Sequence, residues 1–259
     1  MEIFHDVPMQ EYRDWEELSQ SQVKKAWQSI RHFTTPFGSE TQSMKIGSIF
    51  HQMILEPHLD DYWIVGPAFK KNTKVYKEWL ADQKEGITII TEAEHYDLQA
   101  MKDSVMSSRK ARMILDAIQD VEVSARGAIE SLPFNMKARA DGLTKPAVVD
   151  LKTTVNASKE SFSKSIDMFR YDVQGSCYSQ AFDKEGMVFI CVENKAPFNC
   201  AVYELDQDAM ETGAYILDIC CRRIEQYLQD GIASSYQNEL DNEIETIGLP
   251  GWAKKKIYD

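Results

Sequence analysis

The stretch that most constrains the fold of this chain is "KARADGLTKPAVVDLKTT", which spans residues 137–154. Apolar and charged residues alternate in its first part, as in a half-buried β-strand, and the part after a short polar segment is denser in Val and Leu, as in a central strand. We expect two strands joined by a turn at Asp141-Gly142, because Asp-Gly is common in turns. By alternation Asp150 and Lys152 point to one face of the second strand, and a hairpin would bring Asp141 towards Asp150.

This arrangement places charged side chains at positions where the strand pattern predicts burial in the core. Two neighbouring carboxylates such as Asp141 and Asp150 repel each other unless a cation lies between them. Their hard oxygen ligands favour Mg²⁺ or Mn²⁺, and a lysine such as Lys152 beside the metal can orient or deprotonate an attacking water. The pattern therefore suits phosphodiester hydrolysis. A structural Asp-Gly turn and a surface ion pair between Asp150 and Lys152 are the alternatives that spacing alone leaves open.

The rest of the chain predicts a single domain of the mixed α/β (α+β) class. Helical periodicity and capping residues predict helices, and a shorter helix is expected to end near residue 118. The longer predicted helices cover residues 19–33, 42–57, 91–108 and 206–231. We divide the chain into a mostly helical N-terminal part (about 1–118), a catalytic core (about 119–240) and a C-terminal tail (241–259).

Composition limits the compartment and the partners. Lysine and arginine number 29 against 41 acidic residues, and the net charge of −12 counts against a protein that coats nucleic acid by bulk attraction. The five cysteines form no C-x-x-C pair, so we expect buried, reduced thiols rather than a zinc ribbon. No apolar run approaches the roughly 18 residues that cross a bilayer, and the start lacks signal-peptide character. We expect a cytoplasmic protein that does not contact membranes.

A local basic segment stands out against this acidic background. Lys70, Lys71 and Lys74 lie beside aromatic residues in "PAFKKNTKVYKEW", residues 67–79. A basic track of this kind can follow a DNA backbone, so these three lysines are candidate DNA contacts. An ordinary solvated helix face is the alternative.

The strand pair resembles the signature of the PD-(D/E)XK nuclease superfamily. Asp150, Leu151 and Lys152 match the D-x-K element, and Ala140-Asp141 stands in place of Pro-Asp. The alanine departs from the pattern at a residue that only shapes the turn. The resemblance implies a restriction-endonuclease-like core, in which a central mixed sheet is flanked by helices.

Further segments narrow the resemblance to the RecE exonuclease family (exodeoxyribonuclease VIII), which is related to lambda exonuclease. Gln174 and Tyr178 in "YDVQGSCYSQAF" lie one helical turn apart and match the Q-x-x-x-Y motif of the branch that contains recombination exonucleases. His51 in "KIGSIFHQMILEP" matches the metal-site histidine of that family. Without the resemblance, a histidine on an apolar helix is more often part of the core. The similarity runs from about Ser19 to Asp259.

The resemblance also implies a site. A Mg²⁺ ion, for which Mn²⁺ can substitute, would be held by His51, Asp141, Asp150 and the backbone carbonyl of Leu151. Lys152 would position or activate the attacking water, while Gln174 and Tyr178 would steady the scissile region or that water. Glu122 in "VEVSARG" lies where related exonucleases place an acid near the metals, and a plain strand residue is the alternative.

The implied activity is a processive exonuclease that degrades the 5′-ended strand of linear duplex DNA and leaves 3′ single-stranded tails for recombination. The family also implies a ring-shaped homotetramer and a RecT-type single-strand annealing partner, commonly encoded beside it in phages and prophages. Three alternatives stay open. One is a structure-specific or restriction-type endonuclease of the same superfamily, another is an inactive or weak relative that binds DNA ends or a partner, and the third is an acidic scaffold.

Overall fold

A computed structural model describes residues 1–59, 63–69, 71–236 and 244–250. Its strands in chain order are β1 (Glu2–Phe4), β2 (Leu18–Ser19), β3 (Trp63–Val65), β4 (Thr88–Ile90), β5 (Asp120–Gly127), β6 (Met136–Leu143), β7 (Ala147–Thr154), β8 (Gly186–Glu193) and β9 (Cys200–Glu204). Its helices are α1 (Met9–Asp14), α2 (Gln20–Val23), a 3-10 helix (Lys24–Trp27), α3 (Ile30–Thr34), α4 (Gln42–Leu55), α5 (Lys74–Ala81), α6 (Glu92–Ser107), α7 (Arg109–Asp116), α8 (Lys159–Phe169), α9 (Tyr171–Phe182) and α10 (Gln207–Asp230).

One mixed sheet forms the centre of the described structure. Its order is β1-β5-β6-β7-β8-β9, and β2 pairs with the start of β6. The β7–β8 and β2–β6 pairs are parallel, whereas β1–β5, β5–β6, β6–β7 and β8–β9 are antiparallel. β3 and β4 form a separate parallel pair. The predicted central mixed sheet is therefore confirmed, and the mostly helical N-terminal part also contributes β1 and β2 to it.

Helices cover both faces of this sheet. On one face, Phe50 of α4 and Leu98 of α6 pack with Leu151 of β7 in a buried cluster. On the opposite face, Cys177 of α9 and Cys221 of α10 lie in a second buried cluster. Full burial of a leucine or phenylalanine side chain contributes roughly 1.5–3 kcal/mol, so these two apolar layers hold the helices against the sheet. None of the helices in the described ranges combines the length and apolar character that a bilayer crossing requires.

The long acidic helix predicted from residue 206 is present as α10 and packs against α9. Ile216, Leu217 and Ile224 are buried along its inner face. A Cβ atom at Gly213 would overlap the backbone of Asp172, so glycine allows the two helices to approach closely at this point. The helix therefore belongs to the core of the chain rather than only to its surface.

The predicted turn at Asp141-Gly142 is wrong. Both residues lie inside β6, and the chain turns at 144–147, where the Thr144 hydroxyl and backbone hydrogen-bond to Ala147 at 2.9–3.0 Å. Pro146 cannot donate to a ladder, which favours the turn there. Gly142 instead allows close packing, because a Cβ at this position would lie 2.6 Å from Cδ1 of Ile118.

The helix predicted over residues 19–33 is divided into α2, the 3-10 helix and α3. Ser19 caps α2 in a capping box, and Ser29 caps a new start at α3. Arg223 of α10 donates hydrogen bonds of 3.0 Å to the carbonyls of Ala26 and Trp27. These bonds satisfy the carbonyls at the break, and the contact from α10 is invisible in the local sequence.

Candidate active site

Three carboxylates form a row across strands β5, β6 and β7. The pairing register of β5 with β6 places Glu122 opposite Asp141, and that of β6 with β7 places Asp141 opposite Asp150. Neither pair belongs to the regular strand pairing. β5 pairs with β6 immediately before and after Glu122, and the pairing of β6 with β7 ends at Gly142 and Val149, one residue short of Asp141 and Asp150. The regular pairing is therefore interrupted at the acidic row, where side chains can enter.

Asp141 occupies the gap in the β6–β7 pairing. Its Oδ2 accepts a hydrogen bond of 2.8 Å from the backbone N–H of Leu151. The same oxygen lies 3.2 Å from Nδ1 of His51, which reaches the sheet from α4. The aspartate thus replaces a strand-to-strand contact and joins α4, β6 and β7 at one point.

His51, Glu122 and Asp141 each direct one ligand atom into a common space. These three atoms lie within 4.8 Å of one another, and all three residues are partly buried. Two carboxylates and an imidazole make a donor set that a divalent cation can use, and Asp150 lies next in the same row. The residues present therefore fit a divalent cation. Glu122, for which a plain strand residue was the alternative, lies in this cluster.

Asp150 lies at the buried end of the row, where its side chain is 5% exposed. Nε2 of Gln174 on α9 donates a hydrogen bond of 2.5 Å to its Oδ1. Nζ of Lys152 lies 2.6 Å from its Oδ2 and 4.7 Å from the centre of the Tyr171 ring. The carboxylate is thus fixed from two directions, and the ammonium lies between Asp150 and an aromatic face.

The electrostatics of the site are set by burial and by close opposite charges. Burial lowers the pKa of His51, but the charge and hydrogen bond of Asp141 outweigh it and raise that pKa to about 9. Burial also lowers the pKa of Lys152, and the charge of Asp150 more than compensates, so the pKa lies above its ordinary value. Burial raises the pKa of Asp150 and of Glu122. Negative charge is therefore costly on both carboxylates, and a bound cation would reduce that cost.

The predicted Gln174 and Tyr178 pair is divided between two environments. Gln174 contacts Asp150, whereas the Tyr178 ring is 8% exposed and packs edge-on against Phe182. Burial raises the pKa of Tyr178 well above its ordinary value, so the hydroxyl stays protonated. Within the described residues, Gln174 is the member of the pair that hydrogen-bonds a carboxylate of the row.

The candidate DNA contacts are only partly described. Lys70 lies outside the described residues. Lys71 and Lys74 are exposed, and Nζ of Lys74 lies 3.6 Å from Glu78 one helical turn later. An exposed pair of this kind contributes little to stability, so the Lys74 ammonium remains accessible to an anion.

A cavity of about 420 Å³ opens between the 3-10 helix and the end of α8. The sequence did not predict it. Lys24, Trp27, Phe169 and Arg170 are among its lining residues. Nζ of Lys24 donates a hydrogen bond of 2.8 Å to the Phe169 carbonyl, and the Phe169 ring lies 5.6 Å from the Tyr171 ring that Lys152 contacts, so this cavity lies beside the candidate site. No local signal could reveal it, because Lys24 and Lys152 are far apart in the chain.

One solved structure shares this fold, and two others align more weakly. A candidate exonuclease from Eubacterium rectale aligns with a TM-score of 0.61 and 12% identity over 95% of this chain and 97% of that chain. An alkaline exonuclease from Laribacter hongkongensis aligns with a TM-score of 0.34 and 12% identity over 83% of this chain and 92% of that chain. A phage-related exonuclease from Haemophilus somnus 129PT has a TM-score of 0.39 and 12% identity over 85% and 99% of the two chains.

No curated protein matches the sequence significantly. A family profile described as a PDDEXK-like domain matches residues 10–241, which is most of the chain. This match and the fold confirm the assignment to the PD-(D/E)XK superfamily and support a nuclease enzyme. The chain belongs to the family described as "PDDEXK-like domain of unknown function (DUF3799)".

Proposed function

We propose that this protein is a Mg²⁺-dependent exonuclease that digests linear duplex DNA processively from 5′ ends and leaves 3′ single-stranded tails. The observation that carries the proposal is the row of Glu122, Asp141 and Asp150, bordered by the cation of Lys152 and the amide of Gln174. Such a row provides cation ligands and a proton donor within one small space, which phosphodiester hydrolysis requires.

Each side chain has a role that follows from its contacts. The metal would be held by His51, Glu122, Asp141, Asp150 and the Leu151 backbone carbonyl. When bound, it supplies positive charge that stabilises the negative charge on the phosphoryl oxygens. Lys152 keeps its proton because of Asp150, so its ammonium donates a hydrogen bond that orients the attacking water or a phosphate oxygen. Gln174 fixes the orientation of Asp150, and Tyr178 supports α9 behind it.

Features outside the carboxylate row suit a nucleic-acid substrate. The cavity beside the site combines cations at Lys24 and Arg170 with rings at Trp27 and Phe169, the combination that binds single-stranded segments by charge and stacking. Lys70, Lys71 and Lys74 would extend the contact along the phosphate backbone. An enzyme that cuts at every position gains nothing from base contacts, so we propose recognition of duplex ends and backbone.

The test is digestion of linear duplex DNA labelled at either the 5′ or the 3′ end, with Mg²⁺ or with EDTA. Closed circular DNA and an Asp150→Ala variant are included in parallel. We expect metal-dependent loss of the 5′ label, intact circles and an inactive variant. An Asp116→Ala variant on the exposed end of α7 serves as the matched control and should keep full activity.

The other outcomes separate the alternatives. Cleaved circles would contradict an end-dependent exonuclease and indicate an endonuclease of the same superfamily. Loss of the 3′ label first would reverse the proposed polarity. No cleavage with any divalent metal would contradict the enzyme and leave a protein that binds DNA ends or a partner.

We also propose a ring-shaped homotetramer that encircles DNA and acts with a RecT-type annealing protein. The net charge of −12 supports a ring that is acidic outside and basic only in its channel. Light scattering during gel filtration tests the assembly, and a mass of one chain, 29.7 kDa, would contradict it. Co-purification with a RecT-type protein encoded beside this gene tests the partner, and separate elution of the two proteins would contradict that pairing.

A further inference from the structure

Arg139 lies at the edge of the carboxylate row, on the same face of β6 as Asp141. Its Nε donates a hydrogen bond of 2.7 Å to Oε2 of Glu122. A terminal nitrogen of the same guanidinium donates to the backbone carbonyl of Val7 at 2.7 Å and to the Ser124 hydroxyl at 3.2 Å. The guanidinium is thus held by three partners on two segments, and its planar fork directs one edge at Glu122.

Glu122 needs such a partner because its backbone is unusual for a strand. Its φ angle is +50°, which is the left-handed region that non-glycine residues rarely adopt. The β5–β6 ladder continues in register on both sides of it. The backbone therefore turns at one residue and re-aims the side chain towards His51 and Asp141 while the strand itself continues.

The N-terminal segment supplies the remaining support. β1 pairs with β5 from Glu2 to Phe4, and the chain then leaves the sheet and passes over Arg139 at Val7. Lys137, two residues before Arg139, donates to three backbone carbonyls between Tyr12 and Trp15. Two cations of β6 thus bind the same segment, but only Arg139 also contacts the carboxylate row.

We propose that Arg139 is a positioning residue, which with the N-terminal segment holds Glu122 in the orientation that completes the metal site. This inference rests on the metal site proposed above. Arg139 binds Oε2 of Glu122 and so fixes the direction in which this carboxylate offers its ligand atom towards His51 and Asp141. The partners Val7 and Ser124 keep the guanidinium from moving with Glu122.

Arg139 also acts on the cation directly, through its own positive charge. A guanidinium near a cation site repels the cation, so removal of Arg139 could strengthen metal binding. Loss of orientation would weaken it, as removal of a residue that orients a metal ligand does, by about 10–100-fold. Positioning is the larger effect here, because the carboxylate is held against a left-handed backbone at Glu122.

The experiment measures Mn²⁺ affinity of the purified full chain by calorimetry, without DNA, for the wild type and four variants. The variants are Arg139→Gln, Arg139→Lys, Glu122→Gln and the double variant Arg139→Gln with Glu122→Gln. We expect Arg139→Gln to weaken Mn²⁺ binding by about 10-fold or more, with partial recovery in Arg139→Lys. The double variant should bind no more weakly than Glu122→Gln, because Arg139 acts through Glu122.

Lys137→Met is the matched control, since it removes the other cation of β6 that binds the N-terminal segment, at Tyr12–Trp15, and leaves the Arg139 contacts with Val7 and Glu122 in place. It should lower the melting temperature and leave Mn²⁺ affinity unchanged. Equal loss of affinity in Lys137→Met and Arg139→Gln would overturn the positioning role in favour of a structural one, as would tighter binding by Arg139→Gln. A wild type that binds no Mn²⁺ would instead contradict the metal site itself, so the two failures are distinct.

Discussion

Gln174 donates a hydrogen bond of 2.5 Å from its Nε2 to Oδ1 of Asp150, which joins α9 to β7 at the buried end of the candidate site. The carboxylate is 5% exposed, so water does not replace a lost donor easily. Lys152 engages the other oxygen as an ion pair. The orientation of Asp150 therefore depends on a helix that lies after it in the chain, as well as on its own strand.

Replacing Gln174 by alanine should lower both stability and activity. The buried Oδ1 of Asp150 would lose its donor, which costs about 1–3 kcal/mol in the free energy of unfolding. We expect nuclease activity to fall about 10–100-fold as Asp150 loses its orientation. Urea unfolding and the rate of duplex digestion measure the two effects. Gln226→Ala, on the exposed side of α10, is the control and should change stability by less than about 0.5 kcal/mol.

Lys152→Met should be inactive and less stable. Methionine keeps an apolar stem of similar length but leaves Asp150 as a buried carboxylate without its cation, a change that costs about 3–5 kcal/mol. The loss of the proton donor should reduce the cleavage rate by about 100-fold or more. Single-turnover cleavage and urea unfolding check these values against Lys159→Met at the exposed start of α8. A Lys152→Met variant that cleaves normally would remove the amine from the chemistry.

A divalent cation should stabilise the folded chain through Asp141. An ion that binds only the folded state at 100 times its Kd adds about 2.7 kcal/mol to the free energy of unfolding. For a chain of this size, each added kcal/mol raises the Tm by about 2–4 °C. Calorimetry with Mn²⁺ or EDTA should show this rise in the wild type and in Asp116→Asn. The rise should be absent in Asp141→Asn, and an undiminished rise there would place the metal elsewhere.

Reversing the charge of Lys71 or Lys74 should weaken DNA binding and reduce its dependence on salt. Each phosphate contact that is lost lowers the slope of log K against log salt by about 0.9. Binding to a duplex end, measured by anisotropy at several salt concentrations, gives the slope for Lys71→Glu and Lys74→Glu. Lys110→Glu on α7 is an exposed control of the same charge change. Slopes equal to that of the control would exclude both lysines from the DNA track.

The thiols should react in an order set by burial. Burial raises the pKa of Cys177, Cys220 and Cys221 to about 12, so almost no thiolate forms at pH 8. Cys200 is half-buried and should react first with a thiol reagent in the folded protein. The time course of absorbance should show one fast-reacting thiol, and this fast phase should be absent in Cys200→Ser. Rapid labelling of Cys220 or Cys221, mapped by mass spectrometry, would contradict the packing of α10.

Most of the secondary structure could be predicted from the sequence, because caps and periodicity act over a few residues. The helix predicted over residues 91–108 is α6, and Thr91 and Glu94 form a capping box at its start. The short strands β1 and β2 were not predicted, since two or three residues carry no usable pattern and depend on β5 and β6 for pairing. The predicted position of the turn after β6 was wrong because Gly142 is a glycine for packing and not for turning. A side chain there would overlap Ile118, which is distant in the sequence.

The sequence by itself determined which side chains share a strand or a helical turn, and so it identified Asp150 with Lys152 and Gln174 with Tyr178. Only the tertiary structure decided that His51 of α4 and Glu122 of β5 meet Asp141 within 4.8 Å, because that contact depends on how a helix crosses the sheet and on the register of strands. The role of Arg139 likewise appears only when Val7 is folded over it. Local patterns encode the direction of a side chain along its own element, whereas the packing of separate elements selects the neighbours that it meets.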